Sequence, residues 1–217
     1  MSDICERLHI VFHSLPRFRF PFEKDKIPQN GVYILFEDGE TAHTSDRIVR
    51  VGTHTGENQL RSRLKQHFIT ENKDRSIFRK NIGRAILNKH DDPFLEQWNW
   101  DLTTRKSKEQ FGHLVNVDKK RNIEKEVTKY IQKAFSFIVF QVDDKKQRLE
   151  IETKIISTVS WCLECKPSLN WFGLESPKDK IRKSGLWLVN GLYKEGFTQS
   201  EFDIFEAKIR NAVYPKL

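Results

Sequence analysis

The chain has 217 residues, 37% of them hydrophobic and 31% charged, with a mean hydropathy of −0.64 and a net charge of +8. A length of this order supports one generous domain, and 16 Phe with 5 Trp supply a core, which excludes wholesale disorder. No apolar run approaches the roughly 20 residues of a membrane span, the first residues lack the order of a signal peptide, and three cysteines do not make a secreted disulfide framework, so a cytoplasmic, membrane-free protein is expected.

Ile4, Leu8, Val11 and Leu15 recur at helical spacing, predicting an N-terminal helix over 3–15 closed by Pro16. After a Phe- and Pro-bearing stretch, Gly31-Val-Tyr-Ile-Leu-Phe-Glu37 reads as a strand ending at the Asp38-Gly39 hairpin signal, with Arg47 to Gly52 as its partner. Leu60, Leu64 and Phe68 mark one helix, and Phe78, Ile82, Ala85 and Ile86 another. His90 to Lys120 shows no periodicity and reads as irregular. Ile123, Val127, Tyr130 and Ala134 predict a helix, and Ser136 to Asp143 a strand rich in β-branched and aromatic residues. A helix through Leu149, Ile155, Ile156 and Val159 is expected to run toward Pro167, and Ser200-Glu-Phe-Asp203 resembles a capping box opening a last helix. Few strands separated by helices make an α+β fold: a small antiparallel or mixed sheet flanked by helices.

The positive charge is localised. Between Arg61 and Lys89 there are nine basic residues against two acidic ones, so most of the surplus sits there. Such a field favours a polyanion through counterion release, although a solvated helical face reads the same way. Glu152 lies on the apolar stripe of its helix, three residues after Leu149 and three before Ile155. A carboxylate facing inward is costly unless it edges a cleft, joins an ion pair or holds a metal, and periodicity does not choose among these. Arg63 and His67, four apart, share a helix face beside the stripe of Leu60, Leu64 and Phe68. There an arginine can fork onto a phosphate and a histidine can move a proton, or both can simply pack.

Taken together, Gly31-Val-Tyr33, Arg50-Val-Gly52, Arg63 with His67, Glu152 and Pro167-Ser-Leu-Asn170 resemble, in order and spacing, the motif set of the GIY-YIG nuclease superfamily. The resemblance implies a compact core over 30–175 within a single domain of 1–217, with a helical insertion at about 68–135 and a C-terminal helical extension over 176–217. It implies Tyr33, Arg63, His67, Glu152 and Asn170 as site residues, with one Mg²⁺ or Mn²⁺ held by Glu152. The second motif departs from the family, since Arg50 stands where a tyrosine is usual; a cation there would favour a phenolate at Tyr33. The implied activity is metal-dependent hydrolysis of DNA phosphodiesters by a restriction-type endonuclease. The alternative is an inactive nucleic-acid-binding module on the same fold.

The basic run supplies candidate DNA contacts in Arg61, Lys65, Lys73, Arg75, Arg79, Lys80 and Arg84. Cutting both strands of a palindrome with one site per chain would suit a two-fold homodimer. Cys162-Leu-Glu-Cys165 has the C-x-x-C spacing of half a zinc site, but no second pair completes it, and the remaining histidines are scattered without ligand spacing. The Trp171 to Trp187 tail carries no motif with a mechanical reading.

Overall fold

A computed structural model describes residues 2–213. Four strands form one antiparallel sheet in the order β1-β4-β2-β3, from β1 (Phe18–Arg19), β2 (Gly31–Ala42), β3 (Ser45–Gly52) and β4 (Phe135–Gln141). The run from Val32 to Phe36 is buried throughout rather than alternating, because helices cover both faces of β2. On one face, Ile34, Phe36, Val51 and Phe140 pack with α1 (Ser2–His13), α7 (Lys145–Trp161) and α9 (Gln199–Val213). On the other, Tyr33, Leu35, Val49 and Phe137 pack with α2 (Leu60–Phe68), α3 (Ile77–Lys89) and α6 (Val117–Ala134). The α+β expectation, with its helical insertion and C-terminal helical extension, holds.

Four local expectations are corrected. Strand β2 does not stop at Asp38-Gly39: it slips register between Phe36 and Thr41 and continues to Ala42, and the chain reverses at His43 and Thr44, both at positive φ (49° and 59°). Gly39, at φ 86°, absorbs the irregularity that a side chain would resist. The stretch from His90 to Lys120 contains two short helices, α4 (Phe94–Asn99) and α5 (Arg105–Phe111), as well as the start of α6; six or seven residues are too few for a 3.6-residue period to register. Helix α7 ends at Trp161, leaving Leu163 exposed. The capping box of α9 is Thr198 with Glu201: the Thr198 N–H donates to the Glu201 carboxylate at 2.9 Å, and the Glu201 N–H returns to Thr198 Oγ1 at 3.3 Å. Asp203 instead pairs with Arg7 of α1 at 2.8 Å, tying the two ends of the chain together.

The Trp-bearing tail, which includes the short helix α8 (Asp179–Ser184), has a clear structural task. Strand β3 lies at the sheet edge, and the Trp187 N–H donates to Val49 O at 2.7 Å, covering part of that edge. The Trp171 and Trp187 indoles each donate at 2.7 Å to Glu37 Oε2, and Tyr130 donates to Oε1. This buried β2 carboxylate is thus satisfied by three donors from the insertion and the tail. Burial pushes its pKa up against those bonds.

Candidate functional site

The site forms where the two helical layers meet past the end of the edge strand. Tyr33 on β2 faces Gly52 on β3 in register, so both motif strands lie side by side. A Cβ at position 52 would fall 2.2 Å from Tyr33 Oη, so only glycine leaves room for the hydroxyl. Tyr33 Oη sits 2.7 Å from His67 Nε2, and His67 Nδ1 sits 2.7 Å from Ser76 Oγ, the N-cap of α3. Both rings are fully buried. Burial, reinforced by the charges of Arg63, Arg50 and Arg79, holds His67 well below the usual imidazole pKa, so it is neutral at physiological pH.

An extra residue in β3, Val49, lets Arg50 fall opposite Leu35 and so on the Tyr33 face. Arg50 is 5% exposed, lies over Phe78 at 5.2 Å and donates through Nη1 to the Trp187 carbonyl. Its Nε has no hydrogen-bond partner among the described residues, a buried donor left open. Glu152, in the second turn of α7, reaches across the strand end: its Oε1 accepts the Thr53 N–H at 3.1 Å. Burial pushes its carboxyl pKa up, opposed first by Arg50, then by the Thr53 bond and Arg63. Arg63 donates to Gln66 Oε1 at 3.2 Å and to the Arg75 carbonyl at 3.0 Å. With Thr53, His54, Ser62 and Gln66 it lines a cleft of about 250 Å³. Neither Arg50 nor Arg63 has an acidic hydrogen-bond partner among the described residues.

Tyr33, Arg50, Arg63, His67 and Glu152 therefore come together. Asn170 does not join them: it lies exposed in a turn whose neighbours Ser168 and Trp171 bond Glu40 and Glu37, toward the far end of β2. Missed in the sequence were Thr53, Ser76 and His54, whose Nε2 accepts the Gly31 N–H at 3.3 Å. A His or Ser that acts by bonding a neighbour has no periodic signature.

The basic run is corrected in part. Arg79 is fully buried, donating to Glu124 Oε2 at 2.7 Å and 3.1 Å and to the His67 carbonyl at 3.1 Å. Lys73 is 2% exposed, bonded to Asp74 and the Trp100 carbonyl. Lys80 and Arg84 are half-buried and bond Asn99, and burial with neighbouring cations brings Lys80 down to about 8. These residues hold the insertion together, because a charge count does not register which cations have partners. Lys65 and Arg75 are exposed; Arg61 is half-buried, donating to Ile27 O at 2.7 Å, and with Lys24 and Lys65 it lines a groove beside α2.

A second group of chemically active side chains lies elsewhere. Cys5, His9, His43 and Cys165 form a buried cluster whose donor atoms are all within 4.8 Å of one another, a set able to coordinate a divalent metal.

A small antiparallel sheet with both motif strands paired at its edge, and the arginine and glutamate helices converging on that edge from opposite layers, defines a class of domain. The GIY-YIG domain family model matches residues 7–214, and the chain belongs to that family. No curated protein and no solved structure matches it.

Proposed function

We propose that this protein is a divalent-metal-dependent DNA endonuclease of restriction type. The observation that carries the reading is a pair of arginines, Arg50 and Arg63, with no acidic hydrogen-bond partner among the described residues, whose charges act on a largely buried carboxylate, Glu152, at the edge of a polar cleft. Phosphodiester hydrolysis needs cations at the phosphoryl oxygens and a route for the proton of the attacking water.

Glu152 fits an Mg²⁺ or Mn²⁺ ion. Its Oε2 accepts no hydrogen bond among the described residues, and Mg²⁺ is commonly held by one or two carboxylates together with water and phosphate. When bound, the ion supplies Lewis-acid polarisation and neutralises charge on the leaving oxygen. Arg63, on the cleft wall, binds a non-bridging phosphate oxygen. Arg50 stays under the strand end and lends positive potential, its place set by the Trp187 carbonyl and Phe78. His67, kept neutral by burial, accepts a hydrogen bond from the Tyr33 hydroxyl at Nε2 while Nδ1–H donates to Ser76 Oγ. Tyr33 Oη, fixed by that bond, orients the attacking water, whose proton is released to solvent. A homodimer cutting both strands remains part of the proposal, as do a cytoplasmic setting and DNA contacts through Arg61, Lys65 and Arg75.

Among the described residues no helix is long and apolar enough to cross a membrane. Nicking of supercoiled plasmid in Mg²⁺ and in EDTA, followed by sequencing of the ends, tests the reading. Metal-dependent cuts at one short sequence are expected. Binding to DNA without cleavage in Mg²⁺ or Mn²⁺ would leave only the inactive binding module.

A further inference from the structure

The chain has three cysteines, and folding brings all of them to one buried point although they stand at positions 5, 162 and 165. Cys5 comes from α1, Cys162 and Cys165 from the turn after α7, and His43 from the reversal between β2 and β3. Cys5 Sγ lies 3.5 Å from Cys165 Sγ, and His43 Nε2 lies 3.3 Å from Cys162 Sγ. These two contacts give each of the four donors another of the set beside it, and Cys162 also interacts electrostatically with Cys5 and Cys165. The Cys5 to Cys165 separation is far beyond the roughly 2.0 Å of a disulfide. Tetrahedral zinc with bonds of about 2.3 Å to sulfur and 2.0 Å to nitrogen separates its ligands by about 3.8 Å for S···S and 3.5 Å for S···N. The Cys5–Cys165 and His43–Cys162 spacings lie within a few tenths of an ångström of that geometry.

The surroundings are those of a ligand set. The His43 side chain is 1% exposed, and its Nδ1 sits 3.3 Å from the Glu164 carboxylate. That is the outer carboxylate that orients a metal-bound imidazole, leaving Nε2 turned toward the thiols. His43 also pays for its place in backbone strain, with φ at 49° in a turn that favours Asn or Gly. His9 belongs to the same buried cluster, 3.9 Å from both Cys5 Sγ and Cys165 Sγ, but Nδ1 is 2.8 Å from the Cys5 carbonyl and Nε2 is 3.4 Å from the Ile48 N–H, so both ring nitrogens are engaged and Cys162, 3.3 Å from His43, is the better fourth ligand.

The geometry points to a structural zinc site of Cys5, His43, Cys162 and Cys165 that pins α1 and the β2–β3 reversal to the end of α7. Binding deprotonates the three thiols and releases three protons, and neutral His43 completes four coordination with no open position, as structural rather than catalytic sites do. Thiolate donors select zinc over Mg²⁺. Cys162 lies ten residues beyond Glu152, about 15 Å along α7, so this ion is separate from the one proposed for hydrolysis.

The test needs neither DNA nor catalysis. The purified full-length chain, exchanged into metal-free buffer and analysed by plasma mass spectrometry, should carry one zinc per chain, released in full by an organomercurial that blocks thiols. Exchange with Co²⁺ should give a thiolate-to-cobalt charge-transfer band with the strong visible bands of tetrahedral cobalt. Glu152→Gln and His9→Gln should keep the full zinc content, whereas Cys162→Ser and His43→Ala should lose it and melt at lower temperature. Wild-type chain without zinc, with three thiols titrating freely in the native state and no cobalt charge-transfer band, would overturn the site even if the cysteine variants fail to fold. Loss of zinc from Glu152→Gln would overturn the separation of the two ions.

Discussion

Replacing Glu152 with Gln separates a metal ligand from a structural ion pair, because the two roles predict opposite effects on stability. The carboxylate has one protein hydrogen bond, to the Thr53 N–H, and no salt-bridge partner among the described residues. Exchanging a charge-assisted bond, worth about 1.5–3 kcal/mol, for a neutral one worth about 0.5–1.5 loses about 1 kcal/mol. Against this, burial raises the carboxyl above its ordinary 4.5, so the native state binds its proton more tightly than the unfolded chain does. Ionised Glu152 therefore costs stability as pH rises through the folded pKa, and Gln does not. The opposing terms leave a net change within about 1 kcal/mol, or about 2–4 °C in Tm for a domain of this size, with the variant gaining on the wild type as pH is raised from acid to neutral. DNA affinity should stay level or rise, since a negative charge near the phosphate is gone, while nicking in Mg²⁺ should fall by at least about 10²–10³. Differential scanning calorimetry, salt-matched binding and plasmid nicking on one preparation decide the matter. Retained cleavage refutes the ligand role, and a loss of about 3–5 kcal/mol would reveal a broken buried pair.

Tyr33→Phe removes only the hydroxyl bonded to His67 and should lower the single-turnover rate with binding nearly unchanged, at a stability cost of about 1–3 kcal/mol for leaving the buried His67 Nε2 without its partner; near-wild-type cleavage would transfer water activation to another group. Gly52→Ala places a methyl 2.2 Å from that hydroxyl and 2.3 Å from the ring Cζ, so it should lose both activity and stability, and Tyr33→Phe in the same chain should not restore the stability, because the ring carbon stays in place. Arg79→Met should destabilise by about 3–5 kcal/mol by leaving Glu124 buried and unpaired. Lys65→Ala should leave the melt unchanged and reduce the salt slope of DNA binding by about one contact, near 0.9 in log–log units; equal effects of the two on the melt would contradict the burial difference. His67 is held below its ordinary 6.5, so the unfolded chain binds a proton that the native state refuses, and stability should fall as pH drops below about 6.5. His67→Gln should flatten that fall in urea titrations across the same range.

What could be read from the sequence was what local spacing encodes. Helical stripes placed α1, α2, α3, α6 and α7, and the apolar run from Gly31 placed β2, because burying one face repeats at 3.6 residues and burying both gives a continuous run. Arg63, His67 and Glu152 stood out because each sits at or beside such a stripe, Tyr33 only through the resemblance of its Gly31-Val-Tyr33 motif, and Glu152 is indeed a carboxyl that burial pushes up. Tertiary structure decided whatever depends on partners far along the chain. Arg79 and Lys65 are alike in sequence, yet one is sealed against Glu124 from 45 residues away and the other faces solvent. The pair Cys162 and Cys165 reads in sequence as an incomplete site, because the side chains folding sets beside it, Cys5 and His43, come from another helix and from a turn that the Asp38-Gly39 signal had put in the wrong place. Spacing reports the face a residue presents, whereas a ligand set, a buried ion pair or a three-donor clasp such as that on Glu37 depends on which faces meet, and that is settled only when the two helical layers close over the sheet.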